Sequence, residues 1–176
     1  MRRKSAWVVV AGAVAVGTAT YVGTVLATPS SGFTATTIAR GSFGDDIEAA
    51  NHVLRELGDA TPRKDLWLSR QKTKGPSELY VQGNVWAPGG STGWHSHPGH
   101  SLIIVTAGSV TNYDADDPSC TPTTYTAGMG FVDHGGDHAH LVRNEGSVEA
   151  RTVAVQLIPV GAARRIDAPA PAACPF

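Results

Sequence analysis

From Ser77 onward the chain is cut into short runs rich in β-branched and aromatic residues, each closed by a glycine or a turn cluster. ELYVQGNVWA, LIIVTAG, SVTNYDA, TYTAG, MGFVD, HAHLVRN and RTVAVQLIPV follow one another, with PGGSTG, Gly108, Gly128, Gly130 and NEGSVEA at the breaks. Helix-period patterning is weak across this region. Short strands at such spacing build a sandwich or a closed barrel, so the sequence predicts an all-β domain. It predicts two hairpins in particular, LIIVTAG with SVTNYDA across Gly108, and HAHLVRN with RTVAVQLIPV across NEGSVEA.

The part before Ser77 is more varied. MRRKS is a short basic start, and no charge follows from Ala6 to Ala27. A basic start, an apolar stretch and a small-residue exit at VLA fit a secretory signal peptide cleaved after Ala27, or a membrane anchor helix. Either way the domain is expected outside the cytoplasm, extracellular or at the cell surface, touching the membrane only through this segment. FTATTIAR and DLWLSRQ read as strands. DDIEAANHVLRELGD carries early acidic residues, apolar residues at Ile47, Val53, Leu54 and Leu57, and a closing Gly58; this pattern predicts a helix, although an irregular arm shares it. The organisation expected is therefore residues 1–27 as signal or anchor, 28–76 as an N-terminal arm with strands packing on the barrel, 77–160 as the barrel and 161–176 as an extended tail. That is one domain, and 176 residues suffice for its core.

The formal net charge is −1 and there is no basic stripe, which argues against a nucleic-acid partner. Cys120 and Cys174 are the only cysteines. An even count behind an export signal favours a disulfide between them over a reactive thiol pair or two free thiols. Such a bond closes a long loop, worth about 4 kcal/mol on the loop-entropy account. DADD at 114–117 lacks the spacing and closing Glu of an EF-hand, and reads as a solvated hairpin tip.

Seven histidines are present, and four of them make two H-x-H pairs, His95/His97 and His138/His140. On a strand, positions i and i+2 share a face, so each pair can project into a barrel together. Neutral imidazole is a good ligand for borderline divalent metals. His138 and His134 read more readily as loop or edge residues. Trp86, Trp94 and Tyr80 read as packing, with Trp94 facing away from its neighbour His95. Gln82 and Asn84 share one face of a strand, either lining the barrel or facing solvent.

The stretch Gly89 to Gly108 resembles the first cupin motif: a glycine, five residues, H-x-H, a short gap, a Glu, six residues and a glycine. Gly128 to Asn144 resembles the looser second motif. Within the superfamily the chain is most similar to small exported cupin-domain proteins of actinobacterial type. The resemblance implies a jelly-roll barrel with inward-facing ligands at His95, His97 and His140, and a structural Asn144. Two departures stand out. The motif Glu falls on Ser101, and the P-x-G before the second-motif histidine is replaced by DHGGDHAH. His100, next to Ser101, can fill the empty place, line the pocket or face solvent.

No nucleophile elbow, P-loop or dinucleotide fingerprint is found. The expected function is an exported protein binding a divalent transition metal (Fe, Zn, Mn, Ni or Cu) on three histidines, with a small-molecule ligand for which the positive site suits an anion. A metal-dependent dioxygenase or isomerase of a small organic substrate is one alternative, and a metal-free structural barrel another. No catalytic residue is assigned, and a homodimer is allowed.

Overall fold

A computed structural model describes residues 27–56 and 64–176 of the chain. The expected signal or anchor helix lies outside the described residues. Twelve strands are found, and the described residues contain no helix: β1 Ser31–Phe43, β2 Glu48–Glu56, β3 Lys64–Lys72, β4 Ser77–Ser91, β5 His95–Ser96, β6 Ser101–Ala107, β7 Ser109–Asp114, β8 Thr123–Thr126, β9 Gly130–Asp133, β10 His140–Arg143, β11 Ala150–Pro159 and β12 Ile166–Asp167.

Ten of these form one antiparallel network that folds over into a nearly closed barrel. One leaf runs β1-β4-β11-β6-β9 and the other β12-β5-β10-β7-β8. The leaves are joined where Ser91, at the end of β4, pairs with Arg143 of β10. β6 and β11 alternate strictly. Ser101, Ile103 and Val105 point inward on β6, as do Ala150, Thr152, Ala154, Gln156 and Ile158 on β11, while Leu102 and Ile104 face out. This period of two is that of strands with one face on an interior.

Two apolar clusters flank the second leaf. Trp86, Val105, Val110, Val142 and Ala150 pack inside the barrel, with Phe33 and Phe131 against them. Trp94, Tyr113, Leu141 and Cys174 pack on the opposite face of the leaf, beneath the C-terminal tail. Trp94 is fully buried there, on the side away from the interior that His95 faces. Beyond the inner cluster, the inward positions are largely polar.

Both expected hairpins are corners instead. β6 pairs with β11 and β9, whereas β7 pairs with β10 and β8. β10 pairs with β4, β5 and β7, whereas β11 pairs with β4 and β6. Gly108 turns the chain from one leaf to the other. Its φ of +65° lies in the left-handed region, and a Cβ there would sit 2.7 Å from the Glu149 carbonyl oxygen. Both facts demand glycine, but a glycine turn serves a corner as readily as a hairpin. Two facing leaves bury their inner surfaces when successive strands alternate between them, and that decides the pairing here.

The helix expected over DDIEAANHVLRELGD is also not formed in its described part, residues 45–56. Residues 48–56 are β2, paired with β3 in a separate two-stranded sheet. The register sets Glu48 opposite Lys72, whose side chains meet at 3.5 Å. Opposite charges across a ladder favour the paired strands. β1, by contrast, lies along β4 from Phe33 to Phe43 and belongs to the barrel leaf.

Candidate metal centre

His95 stands on β5 and His140 at the start of β10, and the two are direct partners across the ladder. His97 follows β5 and keeps its alternation. The three rings meet in the interior, with centroids 4.6 Å apart for His95 and His140, 4.8 Å for His95 and His97, and 5.8 Å for His97 and His140. One nitrogen from each ring falls within 4.8 Å of the other two. They border a cavity of about 220 Å³ lined also by Gln82, Asn84, Ser101, Asp133, Gln156 and Arg165.

Each ring is held from behind through Nδ1. That of His95 lies 2.9 Å from the Gly93 carbonyl oxygen, and that of His97 is hydrogen-bonded to the Arg164 carbonyl oxygen. A carbonyl only accepts, so both Nδ1 atoms carry the proton. For His140 the partner is Asn112 Oδ1 at 3.1 Å. The orientation of that amide is fixed, because Asn112 Nδ2 donates to Asp114 Oδ1 at 2.8 Å. His140 Nδ1 therefore donates as well. In all three rings the lone pair is left on Nε2, and a ring fixed through its far nitrogen is the usual arrangement of a metal-binding histidine.

The electrostatics agree. Burial pushes the His95 pKa down to about 2, helped by His140, Arg165 and His97. Burial also lowers His140, to about 4, against the pull of Asp133. Both rings are neutral near pH 7 and free to ligate. His140 Nε2 is buried and has no hydrogen-bond partner. An orphaned polar atom of that kind in a polar cavity is what a missing ligand leaves behind. The donor set thus fits a borderline divalent ion.

The remaining sequence candidates separate clearly. His100 turns away from the cavity and lines a surface depression with Pro98, Gly99 and Lys74. His138 faces the acidic tip, with Nε2 3.1 Å from Asp114 and Nδ1 3.4 Å from Asp116. His134 is exposed. Asn144 clips the corner before β11, donating to the carbonyls of Trp86, Ala87 and Val148 at 3.2, 3.2 and 2.7 Å. Gln82 and Asn84 both line the cavity and are bonded to each other at 2.5 Å. Cys120 and Cys174 form a disulfide with a Cα–Cα distance of 5.4 Å.

Residues 85–156 match the family model described as Cupin domain. This segment is a cupin domain. Its barrel is similar to several solved structures. Peruvianin-I, a cysteine peptidase from Thevetia peruviana latex, is 26% identical over 44% of this chain and 49% of its own, with a TM-score of 0.40. An oxalate oxidase is 24% identical over 47% and 46%, with a TM-score of 0.40. A predicted oxalate decarboxylase from Thermotoga maritima is 20% identical over 48% and 83%, with a TM-score of 0.39. This cupin spans about half the length of the first two chains. No curated protein matches it.

Three contributors to the cupin site were not singled out from the sequence. Asp133 ends β9 inside the cavity, 2% exposed. Asn112 holds His140 from β7. Arg164, on the segment after β11, supplies its carbonyl to His97, while its side chain stacks on Tyr80 and donates to Gln156, Thr37 and Gln82. The alternation of Phe131 and Asp133 in GFVD was the one available signal. It places Asp133 on the same face as a core aromatic, an odd position for a carboxylate.

Proposed function

We propose that this is an exported cupin-domain protein that holds a divalent transition-metal ion on His95, His97 and His140 and takes a small organic anion into the cavity beside it. The observation that carries the metal reading is the common orientation of the three imidazoles, each fixed through Nδ1 with Nε2 turned inward. Once bound, such an ion acts as a Lewis acid toward an oxygen of the ligand. Arg165 on the cavity wall supports the choice of an anion, and the amides of Gln82 and Asn84 offer it hydrogen-bond donors and acceptors. Export is supported by the uncharged run behind MRRKS and by the disulfide, which fits an oxidising compartment.

The experiment is metal analysis of the purified full chain, as isolated and after stripping and reloading with Fe²⁺, Zn²⁺, Mn²⁺, Ni²⁺ or Cu²⁺. One equivalent of bound ion is expected, with a rise in Tm that a chelator reverses. Failure to bind any of the five refutes the metal reading and leaves the metal-free barrel. Cell fractionation with N-terminal sequencing tests export, which cytoplasmic retention of the whole chain refutes.

A further inference from the structure

The sequence leaves the metal site without its expected acidic residue, since Ser101 stands where the cupin motif has Glu. The structure places a carboxylate beside it from another strand. In the pairing of β6 with β9, Ser101 is the direct partner of Asp133. Both side chains point inward and are buried. Adjacent strands are roughly 5 Å apart, so a carboxylate one strand over reaches the same part of the cavity.

Resting on the three-histidine reading above, we propose that Asp133 is the fourth protein ligand of the ion, its Oδ2 completing an N₃O donor set. Asp133 Oδ2 lies 3.5 Å from His97 Nε2 and 3.9 Å from His140 Nε2. Two donors each about 2 Å from one ion stand roughly 3 to 4 Å apart; the distances to His97 and His140 meet that, whereas the close mutual grouping of ligand atoms holds the three histidines alone, so Asp133 must shift toward His95 as the ion binds. Neither is a good direct hydrogen bond, so the carboxylate is poised near the rings without closing on either of them.

The surroundings hold Asp133 in that pose. Its Oδ1 accepts the Gly135 N–H at 3.0 Å, and its Oδ2 accepts the Ser101 hydroxyl at 3.2 Å, with lone-pair capacity left toward the rings. The two glycines of DHGGDHAH make the turn that allows this. Gly135 has φ of +67°, and a Cβ on it would lie 2.4 Å from the Gly99 backbone. Gly136 N–H donates to the His97 carbonyl at 2.7 Å. The carboxylate thus stands on the strand next to the motif position, the turn after it seats it, and the Ser101 hydroxyl orients it.

Charge points the same way. No Lys or Arg among the described residues forms an ion pair with Asp133; the basic groups nearest to it are the His97 and His140 rings. A carboxylate so deeply buried needs a cation near it. A divalent ion between Asp133 and the orphaned His140 Nε2 satisfies both groups together. An oxygen donor added to three imidazoles also admits harder ions, Mn²⁺ and Fe²⁺, alongside Zn²⁺.

The test uses the full chain stripped of metal, titrated with Zn²⁺ against a chromophoric chelator and with Co²⁺ for its visible absorption. Asp133→Asn is nearly isosteric and keeps acceptor capacity for Gly135. It should weaken Zn²⁺ by about 100-fold, the upper end for groups that only orient a ligand, and should shift the Co²⁺ bands. Ser101→Ala should cost less, about tenfold, with the Co²⁺ bands in place. The exchange variant Ser101→Glu with Asp133→Ser returns the carboxylate to the motif position and should recover most of the affinity. Parental Zn²⁺ affinity and an unchanged Co²⁺ spectrum in Asp133→Asn overturn the proposal while leaving the three-histidine reading standing. If Asp133→Asn does not fold, the exchange variant decides: a folded exchange variant with weak binding also overturns it. A parent that binds neither ion overturns both readings.

Discussion

The two H-x-H pairs have the same spacing and different fates. His95 and His97 both enter the cavity, whereas of the second pair only His140 does. His138 belongs to the turn before β10, which begins at His140, and its ring goes to Asp114 and Asp116 on the loop side. Two positions share a face only where the backbone between them is extended. At residues 95–97 it is, held by pairing to β10 and β12. At 138–140 the chain is still coming out of the Gly135–Gly136 turn. Spacing alone therefore marks candidate ligands, and the point where a strand begins decides between them.

The sharpest way to break this comparison is to remove one ring from each member of the second pair. His140→Ala should weaken Zn²⁺ binding by at least about 100-fold, since it deletes a ligand and its held lone pair, while His138→Ala should stay within about threefold. Competition titration of the two variants measures both; equal losses would mean that the second pair acts as a unit. His95→Ala should match His140→Ala, and His100→Ala should match His138→Ala.

Acid should separate the same residues in the metal-free protein. His95 and His140 stay neutral in the fold down to about 2 and about 4, yet in the unfolded chain they take up protons near the ordinary value of about 6.5. Below that value the unfolded state binds more protons, so the stability they confer is complete above about pH 6.5 and is lost as pH falls toward their folded values. A fall in Tm of about 10 °C between pH 7 and 5 is expected by calorimetry. His140→Asn should reduce that slope, and His138→Ala should leave it unchanged. A flat profile in the parent would show that the rings are already charged.

The smallest of these effects lies behind the ring. Asn112→Ala removes the acceptor that fixes His140 Nδ1 and keeps the imidazole. A loss of about tenfold in Zn²⁺ affinity is expected, with little change in Tm when metal is absent. No loss at all would show that β10 alone orients the ring.

Much of the barrel was legible because its strands carry a period of two between obligatory turns. The pairing was not. Gly108 announces a turn, but its positive φ is needed equally by a hairpin and by a corner between leaves, and only the burial of both inner faces chooses. The segment 48–56 misled for a related reason: it pairs with residues 64–72 across a ladder, and no window within one segment contains that fact. His95, His97 and His140 were readable from spacing and motif. Asp133 was not, because its relation to Ser101 is a matter of register between β6 and β9, and register is a long-range property.

The acceptor that fixes His97 sits on the segment after β11, and that segment is fastened at both ends. It leaves the barrel at Pro159, pairs Ile166 and Asp167 with β5, and is bonded through Cys174 to Cys120. The Arg164 carbonyl is presented to His97 from a short span whose nearer anchors are Pro159 and the Ile166–Asp167 ladder, and the Arg164 side chain adds hydrogen bonds to Gln156, Thr37 and Gln82. In terms of effective concentration, a span clamped this closely on both sides keeps the carbonyl at the imidazole, while the disulfide lies further along the tail. The orientation of His97 is thus set by local pairing, and cutting the sulfur–sulfur link loosens the tail before it loosens the ring.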